Sequence, residues 1–120
     1  MKCADIEILT DSRGELGVLD PLPGWVKRVY WISAAQGQIR GGHRHKSTFQ
    51  QLILVSGCVD VSWQLPGQQG ISRLRAENKV MSLPPELFHD IHFVATSVLL
   101  VLASESYDQD DYIFEKYREI

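Results

Sequence analysis

The sequence predicts an all-β fold, its strands closed into a sandwich or barrel. Turn-forming residues recur at short intervals, at Asp11-Ser12-Arg13-Gly14, 21–24, Gly41-Gly42, Ser56-Gly57, Pro66-Gly67, Pro84-Pro85 and 95–97. The runs between them are short and rich in β-branched and aromatic residues, as strands require. Apolar residues also recur at the strand period of two. Val59, Val61 and Trp63 fall on one face and Asp60, Ser62 and Gln64 on the other.

Taken in chain order, one strand is expected over 26–32, Val-Lys-Arg-Val-Tyr-Trp-Ile. A second carries His43-Arg44-His45. The run 49–55 is almost continuously apolar, which fits a strand buried on both faces. The alternating run 59–64 is half-buried. The run 98–102 is again continuous, and it is too short and too β-branched for a buried helix. Only the tail, 110–118, carries a pattern compatible with a short C-terminal helix. No repeat, linker or low-complexity segment divides the chain, and 120 residues suit one domain over 1–120.

The net charge of −3 argues against non-specific nucleic-acid binding. It leaves room for a local basic pocket facing a phosphorylated ligand. The two cysteines, Cys3 and Cys58, form no C-x-x-C zinc spacing. Cys58, inside an apolar alternation, reads as a small buried hydrophobe rather than a nucleophile. The N-terminal residues lack the apolar stretch of a signal peptide, and no run reaches membrane-spanning length. The expectation is a cytoplasmic protein with no membrane partner.

The four histidines fall in two clusters, His43 with His45 and His89 with His92. On a strand, His43 and His45 project to the same side. Gly37, His43, His45, Gln50 and Gly57 reproduce the first motif of the cupin barrels, G-x5-H-x-H-x4-E-x6-G, with Gln50 in place of the acid. Pro84 and His89 fit the second motif, G-x5-P-x-G-x2-H, in which Asn78 and Glu86 stand where glycines are usual. The fold expected from both motifs is the cupin double-stranded β-helix, a jelly-roll barrel. Gln50 is a poor ligand for a divalent ion, so the reading favours no metal, although a three-histidine site at His43, His45 and His89 stays open. Without a metal, imidazoles that titrate near neutrality are candidates for acid–base work. A lone histidine on a strand is more often a hydrogen-bonded wall residue. Pairing and the preceding glycines lift His43 and His45 above that reading. For His89 both readings stand, and His92 alone reads as a wall or surface residue.

Asp11-Ser12-Arg13-Gly14-Glu15-Leu16 resembles the opening D-x-R-G-x-L of the nucleotide-sugar 3,4-ketoisomerases. Arg28-Val29-Tyr30-Trp31-Ile32 resembles their R-V-Y-Y-I strand, and 40–46, Arg-Gly-Gly-His-Arg-His-Lys, their R-G-x-H-A-H-K. The stretch 99–105, then Tyr107-Asp108 and Asp110-Asp111-Tyr112-Ile113, resembles their closing L-L-V-L-A-S-E…Y-D…D-Y-I. The resemblance implies a substrate, dTDP-4-keto-6-deoxyglucose, and a reaction that moves its carbonyl from C4 to C3 with no metal or organic cofactor. It implies products that feed synthesis of 3-amino sugars for surface polysaccharides such as O-antigen. It also implies a homodimer, often with exchanged N-terminal strands. By motif position His45 is the base and His43 its assistant. Arg13 and His92 match the type that gives the galacto product.

Three positions depart from the pattern. Ser33 stands where a presumed helper tyrosine usually follows R-V-Y-Y-I, and Tyr30 is expected to face the other way from it. Arg44 replaces alanine and is expected to point away from the site. Phe114 stands where arginine usually follows D-Y-I. For the substrate, Arg40, Lys46 and Arg28 are the cations nearest the motif for a diphosphate. Gln50, His89, His92, Tyr30 and Ser33 complete the candidate set. Trp31 and Trp63 fit core packing better than stacking on a base. Two other readings stay open: a sugar-nucleotide-binding cupin without catalysis, and a metal-dependent cupin.

Overall fold

The structure, a computed structural model, describes residues 4–118. Cys3 lies outside them. Eleven strands are arranged among the described residues: β1 (Ile6–Asp11), β2 (Gly14–Leu19), β3 (Arg28–Ala34), β4 (Ile39–His45), β5 (Gln50–Ser56), β6 (Val59–Leu65), β7 (Gln68–Leu74), β8 (Val80–Leu83), β9 (Phe88–Phe93), β10 (Ser97–Ala103) and β11 (Tyr112–Ile113). All pairings are antiparallel. A four-stranded sheet, β3-β10-β5-β8, packs face to face on a five-stranded sheet, β11-β4-β9-β6-β7, and β1 and β2 form a separate hairpin. Among the described residues no helix is long and apolar enough to cross a membrane.

The sandwich interior holds Leu52, Leu54, Val59, Val61, Leu74, Leu83, Ile91, Phe93, Leu99 and Val101. These residues alternate along their strands, as inner-face positions must. A second cluster explains the continuous apolar runs. Ile53 and Leu102 turn to the opposite face of the four-stranded sheet, where Ala4, Ile6, Leu19, Trp25, Val26 and Val80 cover them. Gln51 is fully buried on that face, where its amide accepts from the Ala4 N–H at 2.9 Å and donates to Ser82 Oγ at 3.3 Å. A buried amide is tolerated when it is bonded at both ends.

Three expectations need correction. The strand expected over 26–32 is β3 and begins at Arg28, because the Val26 N–H bonds back to the Pro23 carbonyl and closes a turn. Trp31 is 71% exposed, not core. It sits on the face of edge strand β3 opposite Tyr30 and Ile32, whose inward parity it cannot share. The tail is not a helix. The Asp108 side chain caps one 3₁₀ turn (Gln109–Asp111), and Tyr112 is already extended and pairs with His45. An open strand edge captures these residues because it satisfies their backbone groups. Cys58 is half-buried, with its N–H on Ser97 Oγ.

Gly57 joins β5 to β6 at φ 98°, a left-handed conformation that disfavours any Cβ. A Cβ there would also collide with the Ser97 side chain and approach the Thr96 carbonyl oxygen to 2.7 Å. Gly57→Ala is therefore expected to lower stability by about 1–3 kcal/mol. Equilibrium urea unfolding checks this, and an unchanged midpoint would contradict the close packing of this turn.

Candidate active site

The site begins with a β-bulge. Strands β4 and β9 pair Ile39 with His92, Arg40 with Ile91 and Gly41 with Asp90, then slip so that His43 lies opposite His89. Gly42 is the extra residue, and Gly41 and Gly42 adopt φ of 107° and 74°. A Cβ on Gly41 would stand 2.8 Å from the His89 carbonyl oxygen, so only glycine lets the two backbones meet here. The slip reverses the parity of β4. Arg40 faces inward before it, and His43 and His45 face inward after it.

The inward histidines form a tight group with His89. Ring centroids lie 5.0 Å apart for His43 and His45, 4.9 Å for His43 and His89, and 6.4 Å for His45 and His89. Each ring has its Nδ1 tied to an acceptor. His43 bonds the Gly41 carbonyl at 3.2 Å, His89 the Leu87 carbonyl at 3.2 Å, and His45 the Asp111 carboxylate at 2.8 Å. Carbonyl and carboxylate oxygens only accept, so each Nδ1 carries the proton and each Nε2 offers a lone pair. His45 Nε2 is buried and has no hydrogen-bond partner in the protein.

Asp111 is the anchor. Burial would raise its pKa. Hydrogen bonds from Thr48 Oγ1, the Ser47 N–H and Oγ (both 2.9 Å) and His45 overcome that and hold it well below the usual carboxylate range. Burial keeps His89 neutral by lowering its pKa to about 4. Burial also lowers His43, assisted by the neighbouring His45. Burial thus favours the neutral form of His43 and His89, while Asp111 behind His45 is ionised.

A pocket of about 350 Å³ opens in front of this group. Its walls include Arg28, Tyr30, Arg40, His43, Gln50, His89 and Tyr112, over a floor of Leu52, Ile91 and Val101. Gln50 Nε2 donates to Tyr30 Oη at 2.9 Å, so Gln50 braces the tyrosine rather than the histidines. Burial raises the Tyr30 pKa, with Tyr112 adding to the effect, so the phenol stays protonated and can donate. The Arg28 guanidinium lies 4.4 Å above the Tyr30 ring and 5.4 Å from that of Tyr107, which fixes a cation at the pocket wall.

Of the residues singled out from sequence, His43, His89, Gln50, Tyr30 and Arg40 meet at this pocket. His45 is 5% exposed and stands behind His43, outside the lining. Four residues are not brought in by this chain. Ser33 is exposed, on the face of β3 opposite Tyr30, as their odd spacing requires. Lys46 is exposed and its N–H bonds the Asp111 carbonyl. His92 faces the outer side of β9, 3.3 Å from Ser62 Oγ. Arg13 is at the β1–β2 turn, paired with Asp11. Among the described residues no group of three or more His, Cys, Asp or Glu side chains is placed to hold a metal ion.

Sequence reasoning gave no role to Asp111 and Tyr112. Asp111 lies 66 positions from His45, and only the pairing of β11 with β4 brings the two together. The hydroxyls of Ser47 and Thr48, directly after the histidine pair, are the signal that a carboxylate docks there.

The neutral His89 makes a pH prediction. Its pKa is lower in the folded chain than the ordinary histidine value of 6.5. Between pH 6.5 and about 4 the unfolded chain therefore binds the proton more readily, and stability falls as pH falls through that window. The loss attributable to His89 is about 3 kcal/mol. His43 acts in the same direction. Asp111, whose pKa is lowered, loses its contribution only below about pH 4, so it does not mask the effect. Urea unfolding of His89→Gln across this range is expected to show a flatter decline than wild type. An identical slope would mean that His89 is not held neutral.

Comparison with known proteins agrees with this architecture. The family model described as FdtA, WxcM-like, C-terminal, matches residues 1–119. A curated relative, TDP-4-oxo-6-deoxy-alpha-D-glucose-3,4-oxoisomerase of Aneurinibacillus thermoaerophilus, is 33% identical, covering 97% of this chain and 91% of its own. Among solved structures, the sugar 3,4-ketoisomerase QdtA of Thermoanaerobacterium thermosaccharolyticum, in complex with TDP, aligns with a TM-score of 0.78 at 31% identity, over 93% of this chain and 85% of that one. A histidine-to-asparagine variant of QdtA was solved with TDP-4-keto-6-deoxyglucose. The WlaRB TDP-quinovose 3,4-ketoisomerase of Campylobacter jejuni aligns with a TM-score of 0.77 at 30% identity, over 92% and 88% of the two chains. A family model spanning nearly the whole chain, together with a full-length relative above 30% identity, places this protein in the WxcM-like FdtA family.

Proposed function

We propose that this chain is a TDP-4-keto-6-deoxyglucose 3,4-ketoisomerase in which His45 moves the proton. The carrying observation is the His45–Asp111 pair. The carboxylate holds the Nδ1–H, so the lone pair is on a buried Nε2 that no protein group occupies. Membership in a family with relatives named for this reaction supports the substrate.

In the reaction, the C4 ketone acidifies the C3–H bond. His45 Nε2 takes that proton, and the electron pair forms a C3=C4 enediolate with the charge on the C4 oxygen. The C3 hydroxyl proton passes to neutralise the transferred charge, a step assigned to His43 at the pocket wall. His45 then returns its proton to C4, and the carbonyl stands at C3. Atoms and electrons balance without a cofactor. Neutral imidazoles suit this chemistry because each can accept before it donates. The protonated Tyr30 phenol is placed to donate to a sugar oxygen. Arg28 and Arg40 supply cations for the diphosphate.

The assembly belongs to the same proposal. Hairpin β1–β2 exposes Ile8, Leu9 and Leu16, and β3 is a sheet edge with Val29 and Trp31 uncovered. A homodimer that exchanges N-terminal strands covers both and carries Arg13 to the partner. The galacto configuration, read from Arg13 and His92, depends on that arrangement. The expected setting is the cytoplasm, in supply of deoxyamino sugars for surface polysaccharide.

Proton NMR of TDP-4-keto-6-deoxyglucose with the protein in deuterated buffer and chelator tests the reaction. Loss of the C3 proton signal and a 3-keto product with galacto configuration at C4 are expected. His45→Asn is expected to remove exchange by roughly 10²-fold or more. Full exchange in that variant together with none in His43→Asn would transfer the base to His43, the ring that lines the pocket. Binding of TDP without exchange in wild type would favour a binding module instead. For the assembly, light scattering is expected to give a dimer, converted to monomer by Leu9→Asp with Leu16→Asp. A wild-type monomer would end the strand-exchange proposal.

A further inference from the structure

The outer face of β4 carries a cluster that the reaction does not use. Arg44 alternates with His43 and His45 and so points away from the pocket, yet its side chain is only 17% exposed. Its guanidinium lies 4.1 Å above the ring of Tyr117, and its Nη1 is 3.5 Å from Glu86 Oε2. The Tyr117 hydroxyl donates to the Glu86 carbonyl at 2.7 Å and stands 3.3 Å from Glu86 Oε2. The Tyr117 N–H donates to Gln64 Oε1 at 3.0 Å, and Lys116 lies 5.9 Å from the Phe88 ring centroid. Glu86 itself sits at φ 72°, and its N–H donates to the His45 carbonyl at 2.7 Å. A left-handed φ suits glycine and strains glutamate. A glutamate there contributes a carboxylate that glycine lacks, and both Arg44 and Tyr117 contact it.

The cluster acts at a defined point. Between Asp111 and Tyr117 the chain runs through β11, whose two residues pair with His45 and Arg44. A two-residue strand at a sheet edge holds itself weakly. Tyr117 pins its far end to the outer face of the sheet, while Asp111 and Tyr112 lie at the inner face against His45, the Tyr112 and His45 centroids 4.5 Å apart.

We propose that Arg44, Glu86 and Tyr117 form a latch that seats β11, making them positioning residues for the isomerisation through Asp111 and Tyr112. The proposal rests on the assignment of His45 and Asp111 given above. Loss of the latch acts on turnover through Asp111, which orients His45, and on binding through Tyr112, one of several pocket walls.

Glu86→Gly separates positioning from general support. It relaxes the backbone at φ 72° while removing the carboxylate, so the melting temperature is expected to be unchanged or higher. Turnover is expected to fall roughly tenfold or more, as small misplacements of reacting groups do, with a smaller rise in KM. Glu86→Gln keeps an acceptor for the Tyr117 hydroxyl and is expected to restore most of the turnover. Tyr117→Phe is expected to fall between the two. A second readout is independent of activity. The His45 Nδ1–H, hydrogen-bonded to Asp111, should give a downfield proton resonance, identified by its absence in His45→Asn. It is expected to persist in Glu86→Gln and to broaden into solvent exchange in Glu86→Gly. Wild-type turnover and an intact resonance in Glu86→Gly would overturn the latch, as would a turnover loss that only follows a fall in melting temperature. Wild-type turnover in His45→Asn would instead remove the base assignment, and the resonance would still decide whether the latch seats Asp111.

Discussion

The slip at Gly41-Gly42 is the constraint on which the site depends. In an unbroken strand Arg40 and His43, three residues apart, face opposite sides. The extra residue between Gly41 and His43 sends both inward, so one strand supplies a cation and the His43 ring to the pocket wall, with the His45 ring behind it. It also places His43 directly across from His89, which assembles the three rings. Both residues of the slip take left-handed φ, and the close approach of Gly41 to the His89 carbonyl leaves no space for a side chain. The two glycines therefore fix the direction in which every functional group on β4 points.

The electrostatics follow from burial. The histidines sit above a floor of Leu52, Ile91 and Val101, which penalises charge on the rings. Nδ1 bonds to fixed acceptors set a common tautomer, and the lone pairs lie at Nε2. Asp111 carries the charge instead. It stays ionised because Ser47 and Thr48 supply the hydrogen bonds that water would otherwise give. Tyr30, braced by Gln50, retains its proton. Acceptors and a donor thus face one cavity without a charged imidazole among them.

Strand β4 serves two faces. Its inner residues make the site, and its outer residue Arg44 meets the tail after the tail has crossed the edge of the sheet. Position 86 connects the two, since its N–H bonds the carbonyl of His45 and its side chain meets Arg44 and Tyr117. The glutamate at a glycine-favouring position and the arginine between the histidines, each an isolated oddity in the sequence, are contacts of one cluster.

The strands were legible where pattern alone decides them. Period-two alternation over 59–64 and the continuous run 98–102 correspond to β6 and β10, and the two-sided burial expected of the latter is supplied by the second apolar cluster. The histidine pair, Gln50 and His89 were legible as a spaced motif, because side chains that share one barrel interior recur at fixed intervals along its strands. The fate of the tail was not legible, since residues 112–113 are extended only because β4 offers an open edge. The Asp111 partnership was hidden for the same reason. Its 66-residue separation from His45 is closed by pairing between strands that no local pattern records. Trp31 was misplaced because apolar character does not say which face of an edge strand is covered. The sequence by itself determined the strand periodicity, the glycines able to bend a strand and the chemistry of the imidazoles. Only the tertiary structure decided which carboxylate orients His45, which cations reach the pocket and what Arg44 and Glu86 are for, because those depend on non-local contacts between strand edges and faces.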